Sequence, residues 1–147
     1  MTTKKINIKE PQTDREWEGY FHCRWNTLRK PWGHPKGSEQ TDDEEQCYHV
    51  MASCGKTVCG VGRIQEVEEN CWQIRFMGVE NDWQGKQIGK RLVHYLIQLA
   101  RSKSAKVIML HAREPAVEFY ERCGFKVVKK SYLLWDTIQH YEMRYLC

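Results

Sequence analysis

No stretch of about 18 apolar residues occurs in the 147-residue chain, so no membrane-spanning helix is expected. The first residues, Met1 to Asn7, hold no apolar core and no small-residue cleavage site, so a secretory signal is not expected. No Cys-x-x-Cys pair is present. The closest cysteines, Cys54 and Cys59, have no histidines at zinc-finger spacing. The cysteines number seven, and an odd count argues against a closed disulfide framework. They read as small apolar residues kept reduced in a cytosol, so a cytoplasmic protein with neither metal nor redox chemistry is expected. A strong charge of one sign is also missing. Lys plus Arg is 23 against 19 Asp plus Glu, a net +4. The pI of 8.7 lies below the range of about 9 and above that marks nucleic-acid binders, and the basic residues are interspersed. No nucleic-acid partner and no membrane partner are expected, while a mild positive excess suits an anionic small molecule. Internal repeats and linkers are absent, and the length predicts one domain, 1–147, with one ordinary core.

What is present orders itself along the chain. Ile6 and Ile8 alternate with polar residues, a short strand closed by Pro11. Thr13 and Glu16 have capping-box spacing, and Trp17, Tyr20, Phe21, Trp25 and Leu28 follow at helical spacing, so a helix runs to about Arg29. Pro31, Gly33, Pro35 and Gly37 then break the pattern, and 30–46 reads as loop with room for one helical turn. Its acidic end, Asp42 to Glu45, reads as a solvated run. Strands over Tyr48–Ser53, Thr57–Gln65 and Cys71–Val79 are joined by turns short enough to require an antiparallel meander. Ile88, Leu92, Val93, Leu96, Ile97 and Ala100 mark one face of a helix over about 86–103. Val107–Leu110 reads as a strand buried on both faces. Ala116, Phe119 and Tyr120 lie on a second helix stopped by Gly124. Strands over Phe125–Lys130 and Ile138–Leu146 close the chain. The order predicts an α+β class: a mixed, mostly antiparallel central sheet flanked by helices.

Chemistry concentrates between Val79 and Leu92, where a strand gives way to a turn rich in small and polar residues and then to a helix. A helix start exposes unpaired amides and the positive end of the dipole. Gly85 and Gly89 let backbone approach an anion closely, and Lys86, Lys90 and Arg91 add charge. The local physics fits a phosphate or pyrophosphate site, and equally an ordinary tight strand-to-helix turn. No Gly-Lys-Ser/Thr follows, so it is not a Walker loop. The glycines stand four apart, so it is not a dinucleotide fingerprint.

The run Gln84-Gly85-Lys86-Gln87-Ile88-Gly89 resembles the Gln/Arg-x-x-Gly-x-Gly/Ala signature of the GNAT superfamily of acetyl-CoA-dependent N-acyltransferases. Gln87 stands where that signature has its middle glycine. Ala112-Arg113-Glu114-Pro115-Ala116-Val117-Glu118-Phe119-Tyr120-Glu121-Arg122-Cys123-Gly124-Phe125 is similar to a second family stretch at the usual distance, and 138–143 resembles the closing strand of many members.

The resemblance implies a GNAT-like acyl-CoA N-acyltransferase fold whose fourth and fifth strands splay apart to admit the pantetheine of acetyl-CoA, the co-substrate. It implies that backbone near Met77 and Val79 pairs with that arm, that the amides of Gly85, Lys86, Gln87, Ile88 and Gly89 hold the pyrophosphate, and that Gln84 braces the loop or the phosphate. It casts Tyr120 as general acid toward the leaving thiolate, a role that a phenol of pKa about 10 can fill. Phe119 and Tyr120 also suit plain core packing. The general base is open among His111, His140, the less well-placed Glu66, Glu68 and Glu69, and a water chain. Either histidine could equally be a hydrogen-bonded structural residue. The implied reaction is direct attack of a primary amine, on a small molecule or peptide, on the thioester. The alternative is a non-catalytic CoA or acyl-CoA sensor of the same fold. The amine pocket is implied to lie between the first helix and the 30–46 loop, with Arg24, Trp25, Arg29 and Trp32 to shape it. A homodimer formed through the last strands would leave no mark in the sequence and stays open.

Overall fold

The structure, a computed structural model, describes residues 5–147; the start of the N-terminal segment considered for a signal lies outside them. Among the described residues no helix is long and apolar enough to cross a membrane. Seven strands form one sheet in the order β1-β2-β3-β4-β5-β7-β6. These are β1 (Ile6–Lys9), β2 (Tyr48–Cys54), β3 (Thr57–Glu68), β4 (Cys71–Val79), β5 (Val107–Arg113), β6 (Lys126–Leu134) and β7 (Ile138–Leu146). Among the described residues only β4 and β5 run parallel. The helices are α1 (Asp14–Leu28), α2 (Ile88–Ser102) and α3 (Val117–Arg122). This is the α+β class that the element order predicts.

The helices form where local chemistry directs. Thr13 Oγ1 accepts from the Glu16 amide at 3.1 Å while Glu16 Oε1 accepts from the Thr13 amide at 3.2 Å, a complete capping box. Lys9 Nζ sits 2.5 Å from Glu16 Oε2, tying β1 to this cap. The buried face of α2 consists of Ile88, Leu92, Val93, Leu96, Ile97 and Ala100, the residues its periodicity picks out. They press on β3 where Gly60 and Gly62 leave room: a Cβ on Gly60 would lie 2.9 Å from Leu92 and 3.0 Å from Ile88. α1 covers the opposite face, where Tyr20 and Cys23 pack with Met51 and Val61.

Three expectations are corrected. β5 is not buried on both faces: Ile108, Leu110 and Ala112 are buried, while Val107, Met109 and His111 are half-exposed, because α1 covers β2–β4 and leaves that side of β5 open. β6 runs four residues further than Lys130. Its turn holds Trp135 and Asp136 at φ of 52° and 53°, a geometry usually signalled by Asn-Gly, so nothing in the composition announces a hairpin tip there. The acidic run is not merely solvated. Glu44 Oε2 accepts from Nη1 of the fully buried Arg24 at 2.6 Å, its Oε1 lies 3.1 Å from buried Arg63, and Asp43 lies 3.7 Å from Arg63. The loop, which carries two short 3-10 turns at Lys30–Trp32 and Glu44–Gln46, is anchored by these ion pairs.

Candidate active site

β4 and β5 pair only from Cys71 to Gln73 against Val107 to Met109. Beyond that β4 stays with β3 and β5 stays with β7, so the two strands part and leave a wedge. A bulge sharpens the parting. Val61 faces Gly78 and Arg63 faces Arg75, so Gly62 opposes two residues, Phe76 and Met77, and Phe76 takes φ 57°. Past the bulge Met77 and Val79 pack on the α2 side, while Gly78 lies so close under α1 that a side chain there would run into Thr27.

The wedge opens toward the loop before α2. Gly85 and Gln87 both have positive φ, 78° and 66°. Gln87 is the N-cap of α2 and no side chain caps the helix. The first helical bond runs from the Arg91 amide to the Gln87 carbonyl at 3.1 Å, so the amides of Ile88, Gly89 and Lys90 precede the ladder and are free for an anion. The left-handed backbone at Gln87 explains why a glycine suits this position, and a glutamine accepts the same turn at a cost of about 1–2 kcal/mol. Gln84 Nε2 donates to the Val79 carbonyl at 3.2 Å, bracing the loop against the end of β4. A Cβ on Gly89 would lie 3.2 Å from the Phe119 ring, so this glycine also lets α2 meet α3. Lys86 and Lys90 are exposed beside the uncapped turn. Arg91 departs from expectation: its Nη2 donates to the Ile6 carbonyl at 3.3 Å, so it serves β1. Uncapped amides, two left-handed residues and flanking lysines fit the pyrophosphate of a CoA-type molecule.

Tyr120 is buried between Phe119 and Phe125, with ring centroids 5.0 and 5.9 Å away. Burial pushes its phenol well above the ordinary value and keeps it protonated. Both readings of the residue, packing and proton donor, stay open.

On the α1 face lies a second cluster. His111 of β5 and His140 of β7 both lie against Tyr132 of β6. His111 is 5.2 Å from the phenol ring, and His140 is stacked on it at 4.4 Å. His140 Nδ1 donates to the Ile138 carbonyl at 3.0 Å, which fixes the tautomer and leaves Nε2 as an acceptor. His111 Nδ1 is buried without a partner among the described residues. Burial lowers both imidazoles below the ordinary histidine value, so both are neutral at pH 7. The structure thus brings together two residues 29 apart in sequence. Glu66 and Glu68 sit toward the far end of β3, where they pair with the start of β4, and with Glu69 of the adjoining turn they lie at the closed end of the wedge.

Four guanidiniums surround the Phe76 ring: Arg24 at 4.5 Å, Arg75 at 4.7 Å, Arg63 at 4.8 Å and Arg29 at 5.6 Å from its centroid. Of the proposed pocket residues, Arg24 is withdrawn into the interior by Glu44, while Trp25 Nε1 donates to the His34 carbonyl at 3.0 Å and so shapes the loop. Trp135 at the β6–β7 tip stacks on His34 at 4.4 Å, approaches Trp32 at 5.6 Å and lies 5.9 Å from Arg29. The hairpin and the 30–46 loop therefore meet over the open half of the sheet. Sequence reasoning gave no role to Arg75, Phe76, Tyr132 and Trp135; the two aromatics at 132 and 135, beside the turn between the last two strands, were the available signal. It also passed over Glu80, directly after Val79, whose Oε2 accepts from Asn26 Nδ2 at 2.7 Å and whose Oε1 is buried without a partner. Among the described residues no group of His, Cys, Asp and Glu is placed to hold a metal.

Comparison with known proteins places this geometry. The model of the Acetyltransferase (GNAT) family matches residues 17–125. Among solved structures, an acyl-CoA N-acyltransferase from Pseudomonas aeruginosa is similar at 22% identity and TM-score 0.76, over 97% of this chain and 99% of that one. An aminoglycoside 6'-N-acetyltransferase complexed with coenzyme A is similar at 19% identity and TM-score 0.79, over 97% and 96%. An acetyltransferase of the GNAT family from Staphylococcus aureus is similar at 15% identity and TM-score 0.76, over 97% and 99%. At these identities the likeness of the solved structures is one of fold, and the family model, which spans most of the chain, carries the assignment: the chain belongs to the GNAT acetyltransferase family.

Proposed function

We propose that residues 1–147 form one N-acetyltransferase domain that moves an acetyl group from acetyl-CoA to a primary amine by direct attack on the thioester. The observation that supports this most is the wedge between β4 and β5, open to an uncapped helix start on one side and to two neutral histidines on the other. Acetyl-CoA supplies the activated acyl carbon and a thiolate leaving group. The amides from Gly85 to Gly89 hold the phosphates, Gln84 keeps their loop in place, and backbone at Met77 and Val79 orients the acyl arm. An amine attacks only when unprotonated, so a neutral group must take its proton. His140 Nε2 or His111 suits that task on pKa grounds. The unpartnered Oε1 of Glu80 supports a second reading of the base. Tyr120, held protonated by burial, donates toward the departing sulfur. We place the protein in the cytoplasm, in keeping with seven free cysteines.

The test has two parts. Acetyl-CoA raises the melting temperature, and the rise grows with the logarithm of its concentration above Kd. Tyr120→Phe keeps that shift and lowers kcat about a hundredfold, the scale of a lost general acid. Unchanged turnover removes Tyr120 from the chemistry. A thermal shift with no turnover of any amine turns the reading into the sensor alternative, and no thermal shift overturns both.

A further inference from the structure

The four guanidiniums around Phe76 are not equivalent. The inner two, Arg24 and Arg63, are fully buried and neutralised by Glu44 and Asp43. The outer two, Arg29 and Arg75, have no carboxylate within ion-pair distance among the described residues. Arg29 Nε donates to the Ser38 carbonyl at 3.1 Å and its Nη1 to the Leu28 carbonyl at 3.2 Å, contacts that hold the group in place without neutralising it. The carboxylate whose charge acts on Arg29 is Glu39, which is occupied by the Gly37 amide at 2.8 Å and by Gln40 at 2.9 Å. Arg75 stands on the β4 bulge facing the same ring. Desolvation depresses both guanidiniums, with repulsion from Arg75 and Arg24 added at Arg29 and from Arg63 and Arg24 at Arg75. Two like charges beside the parted strands are thus left without a carboxylate in direct ion-pair contact.

From this arrangement, and resting on the proposed amine acetylation, we infer that the acceptor is a primary amine that also carries a carboxylate, which Arg29 and Arg75 bind. The fork of a guanidinium matches a carboxylate, and charge-assisted bonds to it are among the stronger polar contacts. Tyr132 lies in the field of both arginines and also touches both histidines, so it spans the distance between the anion site and the proton acceptor. Trp135 and Trp32 wall the same side, which favours an amino acid with an apolar side chain. A polyamine or an aminoglycoside would bring more positive charge to a pair already unbalanced and is rejected on that ground.

The experiment measures kcat/KM at saturating acetyl-CoA for phenylalanine, methionine and β-alanine, for their carboxamides, and for spermidine and kanamycin. The best acid exceeds its own carboxamide about tenfold or more, the scale of hydrogen bonds to a charged partner. Arg75→Gln and Arg29→Gln bring that ratio toward one. Arg101→Gln, an exposed change at the far end of α2, leaves the ratio as it was. A wild-type ratio near one, or a preference for spermidine or kanamycin, overturns the inference. If acetyl-CoA binds but no amine turns over, the amine reading fails on its own. The anion site is then read by tryptophan fluorescence with CoA present, comparing N-acetylphenylalanine with its carboxamide. Tighter binding of the acid by about tenfold supports the site; equal binding, or none of either, overturns it.

Discussion

The two halves of the cleft are built in opposite ways. On the proposed donor side, six consecutive residues, Gln84 to Gly89, offer mostly backbone: left-handed turns at Gly85 and Gln87 and the free amides at the start of α2. On the proposed acceptor side the groups come from the end of α1 and from β4, β5, β6 and β7, and offer side chains: Arg29 just past α1, Arg75, His111, Tyr132 and His140. A backbone site has one shape and suits a ligand part that never varies. A site assembled from distant side chains can change its specificity one residue at a time on the same scaffold. The difference also separates what each half can tolerate. The donor loop is limited by sterics, the acceptor side by charge balance.

The largest effect expected on this comparison is at Glu44, the carboxylate that neutralises the buried arginines beneath the acceptor side. Glu44→Ala leaves Arg24 and Arg63 short of a partner and costs about 3–5 kcal/mol. For a chain of this size that lowers the melting temperature on the order of 10 °C. A loss under a few degrees would show that the inner pair is solvated and that the acceptor side is less finely balanced than its geometry implies.

Next comes the identity of the base. Both imidazoles are lowered below the ordinary histidine value, so a histidine base is active at neutral pH and loses activity as pH falls through that lowered pKa, on the acid side of an ordinary histidine. His140→Gln removes the acid limb of the kcat/KM profile if His140 takes the proton. His111→Gln and Glu80→Gln are the matching arms, and the variant that abolishes the limb names the group. A limb that survives all three leaves a water chain as the proton path.

The smallest effect is expected in the donor loop. Gln87→Gly relieves a left-handed glutamine but adds unfolded-state freedom, so stability rises by no more than about 1 kcal/mol and acetyl-CoA affinity stays the same. A tenfold gain in affinity would show that Gln87 distorts the loop rather than merely tolerating it.

The same contrast explains what could be read from the sequence. The capping box at Thr13, the buried face of α2 and the span of β4 follow from local spacing, and the structure repeats them. The change from strand to turn to helix around 84–89 was equally legible because its parts are contiguous. The acceptor side was not. The Phe76 bulge depends on β3 pairing across β4, and no residue type at 76 announces a positive φ. Asp43 and Glu44 looked solvated because their partners, Arg24 and Arg63, lie about 20 residues away on either side. His111 and His140 were each weighed alone; it is Tyr132, which carries no motif, that brings them together. Arg91 misled for the opposite reason: it sits in the right place in the sequence, but its guanidinium turns to β1.

The central claim is that these halves together transfer an acetyl group to nitrogen. The most direct measurement is thiol release from acetyl-CoA by the wild-type protein across a panel of primary amines, with the product identified by mass spectrometry. The account predicts release that depends on the amine and a product acetylated on its nitrogen. Binding of acetyl-CoA with no amine-dependent release across the panel would contradict it.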